Sequence, residues 1–113
     1  MARLEVQVAF GDGRLILTLT GEVDLDSSSR LHQAVQEADA PWGTHVVADL
    51  SGVTFMDSTG VRALLACYER AREHGGTLSV IGAHGPIERV LHLSGVLSLF
   101  RSPPPGSTRP GLN

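Results

Sequence analysis

The sequence predicts an α/β fold, with a mixed, mostly parallel sheet of four to five strands and helices packed on it. Three observations indicate this: a glycine-containing turn between two leading extended segments, short apolar runs typical of buried strands, and amphipathic helical segments between those runs. The 113 residues suffice for one compact domain, which we place at residues 1–100. Residues 101–113 are rich in proline and glycine, so we predict a disordered tail there.

The chain begins with a predicted hairpin. Apolar and polar residues alternate over residues 4–10, as in a strand with one solvent-exposed face. Gly11-Asp12-Gly13 is typical of a hairpin turn, because glycine accepts the positive φ that such turns require. A second strand over residues 14–20 ends at Gly21, and residues 21–26 are predicted to form an acidic loop.

The first helix follows this loop. Asp26 or one of the serines at 27–29 is expected to cap it by accepting an unpaired backbone N–H. Trp42, in the segment that breaks the helix at 39–43, is expected to cover an edge of the core. Apolar residues at helical spacing predict the inner face of the helix, namely Leu31, Ala34, Val35 and Ala38.

The second half of the chain alternates strands and helices. Residues 45–50 are predicted as a strand buried on both faces, after which Ser51-Gly52 turns the chain into a brief extended stretch, residues 53–56. The polar cluster Asp57-Ser58-Thr59-Gly60 begins a helix that Gly75-Gly76 ends. The predicted inner face of that helix consists of Val61, Leu64, Leu65 and Tyr68.

The last predicted elements are a strand over residues 77–81, a third helix and a short strand over residues 96–100. Pro86 suits the first turn of the helix, and Gly95 ends it. Its predicted inner face consists of Ile87, Val90, Leu91 and Ser94.

Charge and cysteine content narrow the possible functions. The formal net charge of −3 argues against a general nucleic-acid binder, which normally carries a basic patch. The one cysteine, Cys67, excludes an intrachain disulfide and with it a stapled, secreted fold. No segment resembles a signal peptide or reaches the roughly 20 apolar residues that cross a bilayer. We therefore expect a cytoplasmic protein without a nucleic-acid or membrane partner.

The cluster Asp57-Ser58-Thr59-Gly60 is the main candidate site, because it lies where an extended segment meets a helix. In open α/β sheets, ligands and partners bind at the carboxyl ends of the strands. Residue types alone also allow a purely structural role, in which Asp57 or Ser58 caps the helix. A phosphate on Ser58 would add about −1.5 to −2 charge beside a helix N-terminus, which tolerates anions, and a docked partner would sense the change.

The sequence gives little support for a metal site, a hydrolase active site or a phosphate-binding loop. His84, Glu88 and His92 are spaced by four, but His84 precedes Pro86 and is expected in a loop, away from the helical face that the other two share. A hydrolase triad has no G-x-S-x-G elbow here, and Gly82 to Gly85 is too short for a phosphate-binding loop. We expect no metal, no cofactor and no enzymatic activity.

Three stretches of sequence carry a family resemblance. The run VVADLSGVTFMDSTGVRALLACYERAREHGGTLSVIG is preceded by LTGEVDLDSSSRL and followed by PIERVLHLSGVLSLF. With these motifs the chain resembles the STAS family of anti-sigma factor antagonists, from about Leu4 to Phe100. The DLSGVTFMDSTG stretch followed by a helix is typical of that bacterial family and far more specific than a capping motif. The resemblance implies a single STAS-like domain.

The resemblance also implies a partner switch. An unphosphorylated antagonist binds an anti-sigma factor that is also a serine kinase, which frees the sigma factor for transcription. Phosphorylation releases the kinase, and a serine phosphatase resets the antagonist. The acceptor position falls on Ser58, with Thr59 as a secondary acceptor, and ATP is expected to arrive on the kinase.

The residues implied in partner binding follow from the same match. Asp57 matches the acid that precedes the acceptor, and Asp24, in GEVDL, matches a loop acid used in partner recognition or phosphorylation. The full implied set is Asp24, Asp57, Ser58, Thr59 and Gly60.

The resemblance also allows an alternative function, and this sequence differs from the family pattern in one respect. STAS domains also serve as constitutive accessory subunits, for example on the ATPase of a lipid-transport ABC system, where no phosphorylation is needed. Family members commonly end with a further helix, whereas this chain has the proline-rich residues 102–113. That departure puts in doubt any contact that such a helix would make.

Overall fold

The computed structural model describes residues 3–100, and the tail predicted over residues 101–113 lies outside the described residues. Strands and helices alternate after a leading hairpin, as the sequence predicts. In chain order the elements are β1 (Glu5–Gly11), β2 (Arg14–Val23), α1 (Ser28–Ala38), β3 (His45–Met56), α2 (Ser58–Glu73), β4 (Thr77–Ile81), α3 (Gly85–Leu93) and α4 (Leu97–Phe100).

The strands form one mixed sheet in the order β1-β2-β3-β4. β1 and β2 are antiparallel, whereas β2, β3 and β4 are parallel to one another. Asp12 and Gly13 form the turn between β1 and β2 with φ angles of 55° and 74°. Positive φ at both turn residues is what a type I′ hairpin requires. The predicted α/β class with a mostly parallel sheet is confirmed.

The helices cover one face of this sheet and enclose the core. Leu15, Leu17 and Leu19 alternate along β2 and are buried on that face. Because neighbouring strands continue the same alternation, Val46 and Ala48 of β3 extend the buried layer. The helix residues that close the core come mostly from the predicted inner faces, and they include Leu31, Val61, Leu64, Ile87 and Leu91.

β1 is less buried than its alternating pattern predicts. Leu4, just before the strand, is fully buried, but Val8 and Phe10 are 44% and 50% exposed. Both side chains lie on the helix-covered face, opposite Leu17 and Leu15 of β2. Since β1 is the last strand on this side of the sheet, its outer flank has no strand beside it within residues 3–100.

Two strands are longer than predicted, because their pairing continues through the predicted breaks, with the extra residues accommodated in β3. β2 continues through Gly21 to Val23, and β3 continues through Ser51-Gly52 to Met56. The β2–β3 register shifts by one residue near Ser51, where the Ser51 N–H and hydroxyl donate to Asp49 Oδ1 at 3.0 and 2.7 Å. A Ser-Gly pair therefore indicates a bulge here, where an extra residue is accommodated without ending the strand.

The strand predicted over residues 96–100 is wrong, since Leu97–Phe100 forms the short helix α4. Val96 and Phe100 are both buried and lie four residues apart, which is helical spacing. The Phe100 N–H donates to the Val96 carbonyl oxygen at 3.1 Å. The Phe100 ring packs edge-on against Tyr68 of α2, with a centroid distance of 6.0 Å.

Candidate functional site

The cluster Asp57-Ser58-Thr59-Gly60 lies where β3 ends and α2 begins, as predicted. Asp57 is the N-cap of α2, in an extended conformation with φ −112° and ψ −170°. Its Oδ1 accepts hydrogen bonds from the backbone N–H groups of Thr59 and Gly60, at 3.0 and 3.2 Å. The sequence left Asp57 and Ser58 as alternative caps, and the structure assigns this role to Asp57.

Ser58 is the first residue of α2, and its side chain is exposed to solvent. Thr59 and Asp57 on either side are only half-buried. Because Asp57 already supplies the cap, the Ser58 hydroxyl is not required to hold the helix N-terminus. The arrangement presents an accessible hydroxyl beside the positive end of a helix dipole.

Gly60 is buried, and its missing side chain sets how closely α2 approaches the sheet. A Cβ at this position would lie 2.6 Å from the Val23 carbonyl oxygen and 2.7 Å from Met56 Cγ. Gly60 therefore fixes the position of the helix start against the ends of β2 and β3. Its predicted contact with a partner stays a prediction.

Asp24 lies at the same edge of the sheet as Asp57. Val23 and Met56 are register partners at the carboxyl ends of the parallel strands β2 and β3. Asp24 and Asp57 directly follow those two residues, so the backbone brings both acids to one edge. Asp24 is half-buried, as Asp57 is.

Asp24 and Ser27 cap each other across the turn before α1. Asp24 Oδ1 accepts from the Ser27 N–H at 3.1 Å, and Ser27 Oγ accepts from the Asp24 N–H at 2.9 Å. The Ser27 hydroxyl lies 2.8 Å from the Glu22 carbonyl oxygen, which it can donate to. This reciprocal pattern resembles a capping box, placed one turn before the helix. Asp24 therefore caps the turn that leads into α1, whereas Ser27, one of the predicted caps, is the N-cap residue of α1 but makes no side-chain cap hydrogen bond to it.

Two apolar residues at this edge were missed by the sequence-based prediction. Leu25 is 73% exposed directly after Asp24, and Phe55 is half-exposed near the end of β3, opposite Glu22. A leucine inside the acidic segment GEVDLDS is the sequence feature that could have revealed the first of them. We call Asp24, Leu25, Phe55, Asp57 and Ser58 the switch surface. It combines negative charge with exposed apolar area.

The other candidate residues do not form a second site of the same quality. Cys67 is buried, and burial raises the pKa of its thiol to about 11. His84 is the N-cap residue of α3, and within residues 3–100 no group of three or more His, Cys, Asp or Glu side chains could hold a metal ion. Trp42 was expected to cover an edge of the core but is 75% exposed, and its ring lies 6.2 Å from the His74 ring between centroids.

None of the helices within residues 3–100 is both long and apolar enough to cross a membrane.

Known proteins resemble this chain over nearly all of its described residues. The family model described as Mlab, STAS domain matches residues 6–100. The anti-sigma F factor antagonist of Paenibacillus polymyxa is 30% identical over 98 residues, which cover 86% of this chain and 84% of that protein. The anti-sigma-F factor antagonist RsfB of Mycobacterium tuberculosis is 33% identical over 98 residues, covering 87% and 80%.

Solved structures give the same result. A crystal structure of an anti-sigma factor antagonist from Mycobacterium paratuberculosis matches with a TM-score of 0.74 and 33% identity, covering 87% of this chain and 83% of that one. The unphosphorylated anti-sigma factor antagonist SpoIIAA matches with a TM-score of 0.71 at 19% identity, covering 85% and 84%, which shows a shared fold. From its matched family model and these relatives, the chain belongs to the STAS-domain family of anti-sigma factor antagonists.

Proposed function

We propose that this protein is a phosphorylation-controlled anti-sigma factor antagonist. With Ser58 unmodified it binds an anti-sigma factor that is also a serine kinase, and with Ser58 phosphorylated it releases that partner. A sigma factor is thereby freed or recaptured, which regulates transcription. The observation that carries the proposal is the exposed Ser58 hydroxyl at the first position of α2, in a chain whose relatives are named anti-sigma factor antagonists.

The fold can accept a phosphate on Ser58 without rearranging. The group would add about −1.5 to −2 charge next to the N-terminus of a 16-residue helix, which favours anions. The cap at this end is made by Asp57, whose Oδ1 holds the N–H groups of Thr59 and Gly60. Modification at Ser58 therefore changes the surface and leaves the helix start in place.

Partner release follows from the charge of the switch surface. Asp24 and Asp57 already make this edge negative. The partner's binding site for the unphosphorylated protein should therefore be complementary, with basic groups around an apolar contact for Leu25 and Phe55. A dianion in the middle of that contact would have to be desolvated or would prevent close approach. Binding is lost through charge and bulk at the interface.

The same proposal assigns roles to Thr59, to ATP and to a phosphatase. Thr59 is half-buried, which makes it the less accessible acceptor beside Ser58. ATP is supplied on the partner kinase, and a serine phosphatase restores the hydroxyl. In this scheme the protein acts in the cytoplasm, without a cofactor, a membrane or a nucleic acid, and catalyses no reaction itself.

The experiment is phosphate mapping. The protein is incubated with the anti-sigma factor kinases encoded in its own genome and ATP, and modified residues are identified by mass spectrometry. We expect phosphate on Ser58, loss of that label in Ser58→Ala, and loss of binding after modification. No label on Ser58 or Thr59 with any of those kinases would overturn the proposal. Stable binding of Ser58→Asp to a transporter ATPase would favour the constitutive accessory-subunit alternative.

A further inference from the structure

Within residues 3–100, the backbone groups along the outer flank of β1 have no strand to pair with. In a two-residue hairpin the residues that flank the turn, here Gly11 and Arg14, form a hydrogen-bonded pair. Pairing alternates along the strand, so Glu5, Gln7, Ala9 and Gly11 direct their N–H and C=O groups towards β2. The N–H and C=O groups of Val6, Val8 and Phe10 therefore point away from the sheet.

This edge lacks several of the features that usually protect an edge strand. Over Glu5–Gly11 the chain has no proline and no lysine, and its register with β2 is free of bulges. Val8 and Phe10 add partly exposed apolar side chains, 44% and 50% exposed, on the face next to α1. Both the backbone and the side chains of β1 are thus available for pairing with another strand.

We propose that a second copy of this chain pairs with β1, forming a homodimer with a continuous eight-stranded sheet. The strands would run antiparallel about a two-fold axis at Val8. In this register Val8 lies opposite the second copy's Val8, and Val6 lies opposite the second copy's Phe10. Every outward N–H and C=O of Val6, Val8 and Phe10 finds a partner, and their side chains meet on one face of the sheet.

Charge complementarity supports a second copy as the occupant. The same register places Glu5 opposite the second copy's Gly11, whose neighbour in the sheet is Arg14. Glu5, Gly11 and Arg14 all lie on the face away from the helices, by strand alternation. Because glycine has no side chain, the Arg14 side chain can cross that position and reach Glu5. Two such pairs form, one on each side of the axis.

The pair does not form within a single copy. Glu5 lies opposite Thr20 and Arg14 lies opposite Gly11, at opposite ends of the hairpin. Six residues along β1, at about 3.4 Å each, separate their positions. Charge complementarity between Glu5 and Arg14 is therefore specific to the dimer.

The dimer leaves the switch surface accessible. Ser58 follows β3, which is separated from β1 by β2. The two Ser58 side chains would lie outside the β1–β1 interface, one in each half of the assembly. Dimer formation does not depend on phosphorylation and does not rest on the proposed function.

The test is the molar mass of the full chain, measured by sedimentation equilibrium up to millimolar concentration. We expect the mass to rise from 12.0 kDa towards twice that value. Val8→Lys places like charges opposite each other at the axis and should keep the protein monomeric. Leu93→Lys, at a position 77% exposed in α3, is the control and should leave the mass unchanged. Circular dichroism checks that both variants are folded.

Charge reversal tests the register. Glu5→Arg and Arg14→Glu should each raise the dimer Kd several-fold, and the double variant should restore it, since the swapped pair is again complementary. A mass that stays at 12.0 kDa at every concentration overturns the proposal. A dimer that Val8→Lys leaves intact, or that no charge variant weakens, overturns it as well.

Discussion

Gly60 packs so closely on Val23 that a Cβ on residue 60 would lie 2.6 Å from the Val23 carbonyl oxygen. This contact joins the first turn of α2 to the end of β2 and so sets the position of Ser58, two residues earlier. The obstructing atom is backbone, which cannot rotate away as a flexible side chain can.

Gly60→Ala should therefore destabilise the protein in spite of the higher helix propensity of alanine. We expect a loss of about 1–3 kcal/mol in the free energy of unfolding, the usual range for an overpacked core position. For a domain of this size each kcal/mol lowers Tm by about 4–8 °C. Thermal unfolding measures the change, with Gly11→Ala as the control, because nothing lies within 4 Å of a Cβ there. Equal Tm values for the two variants would contradict this packing.

Asp57 can be separated into its capping and charge contributions. Asp57→Ala removes the acceptor of two backbone N–H groups and should cost about 0.5–2 kcal/mol of stability. Asp57→Asn retains an acceptor oxygen and should lose much less, as measured by urea unfolding. If Asn is as destabilising as Ala, the cap does not act through this hydrogen-bonding oxygen.

Ser58→Asp should weaken partner binding without unfolding the domain. A carboxylate at the first position of α2 is favourable for the helix, so Tm should stay within about 2 °C of the parent. Affinity for the anti-sigma factor should fall about tenfold or more, equivalent to at least about 1.4 kcal/mol. Ser58→Ala should bind normally and resist release by kinase and ATP.

Isothermal titration calorimetry measures these affinities, with Ser98→Asp as the control. Ser98 is an exposed serine in α4, near the end of the described chain. If Ser98→Asp reduces affinity as much as Ser58→Asp does, added charge anywhere on the protein would explain the effect.

The position of Ser58 could be predicted because it depends on local features. The polar cluster, the helix start and the exposed hydroxyl all follow from a short run of residue types, and the structure shows the same arrangement. The capping role of Asp24 could not be predicted in this way. That role depends on β2 continuing to Val23, directly before Asp24, whereas Gly21 predicts that the strand ends earlier.

The remaining errors have related physical causes. Ser51-Gly52 resembles a turn in sequence, but pairing of Gly52 and the following residue with β2 keeps the chain extended. A run of four residues such as Leu97–Phe100 suits a strand or a helix, and burial of both Val96 and Phe100 decides for the helix. In each case tertiary contacts overrode a local pattern.

His45 should make stability depend on pH. The side chain is buried, and burial, together with the positive charge of Arg14, lowers the pKa of His45 from its usual 6.5. Its Nε2 lies 3.0 Å from Ser79 Oγ, and its Nδ1 is hydrogen-bonded to Thr77. Between the lowered folded-state pKa and about pH 6.5, the unfolded chain binds a proton at His45 that the folded chain does not. The free energy of unfolding therefore falls as pH decreases across this range.

The corresponding variant is His45→Gln, which can still donate to and accept from the two hydroxyls but does not titrate. Urea unfolding at about pH 7.5 and pH 5 should show a larger loss for the parent than for the variant. A parent and variant with identical pH dependence would show that His45 does not contribute.

Leu25 provides a test of the apolar part of the switch surface. It is 73% exposed, so Leu25→Ala removes little buried area and should change stability by less than about 0.5 kcal/mol. If the side chain is enclosed by the partner, its loss should cost about 1–2 kcal/mol of binding free energy, or roughly tenfold in Kd. Leu93→Ala is a matched control, because Leu93 is also leucine and is 77% exposed, on α3. Binding of the unphosphorylated protein to its anti-sigma factor, measured by calorimetry, should distinguish them. Equal Kd values for the two variants would show that the partner does not enclose the Leu25 side chain.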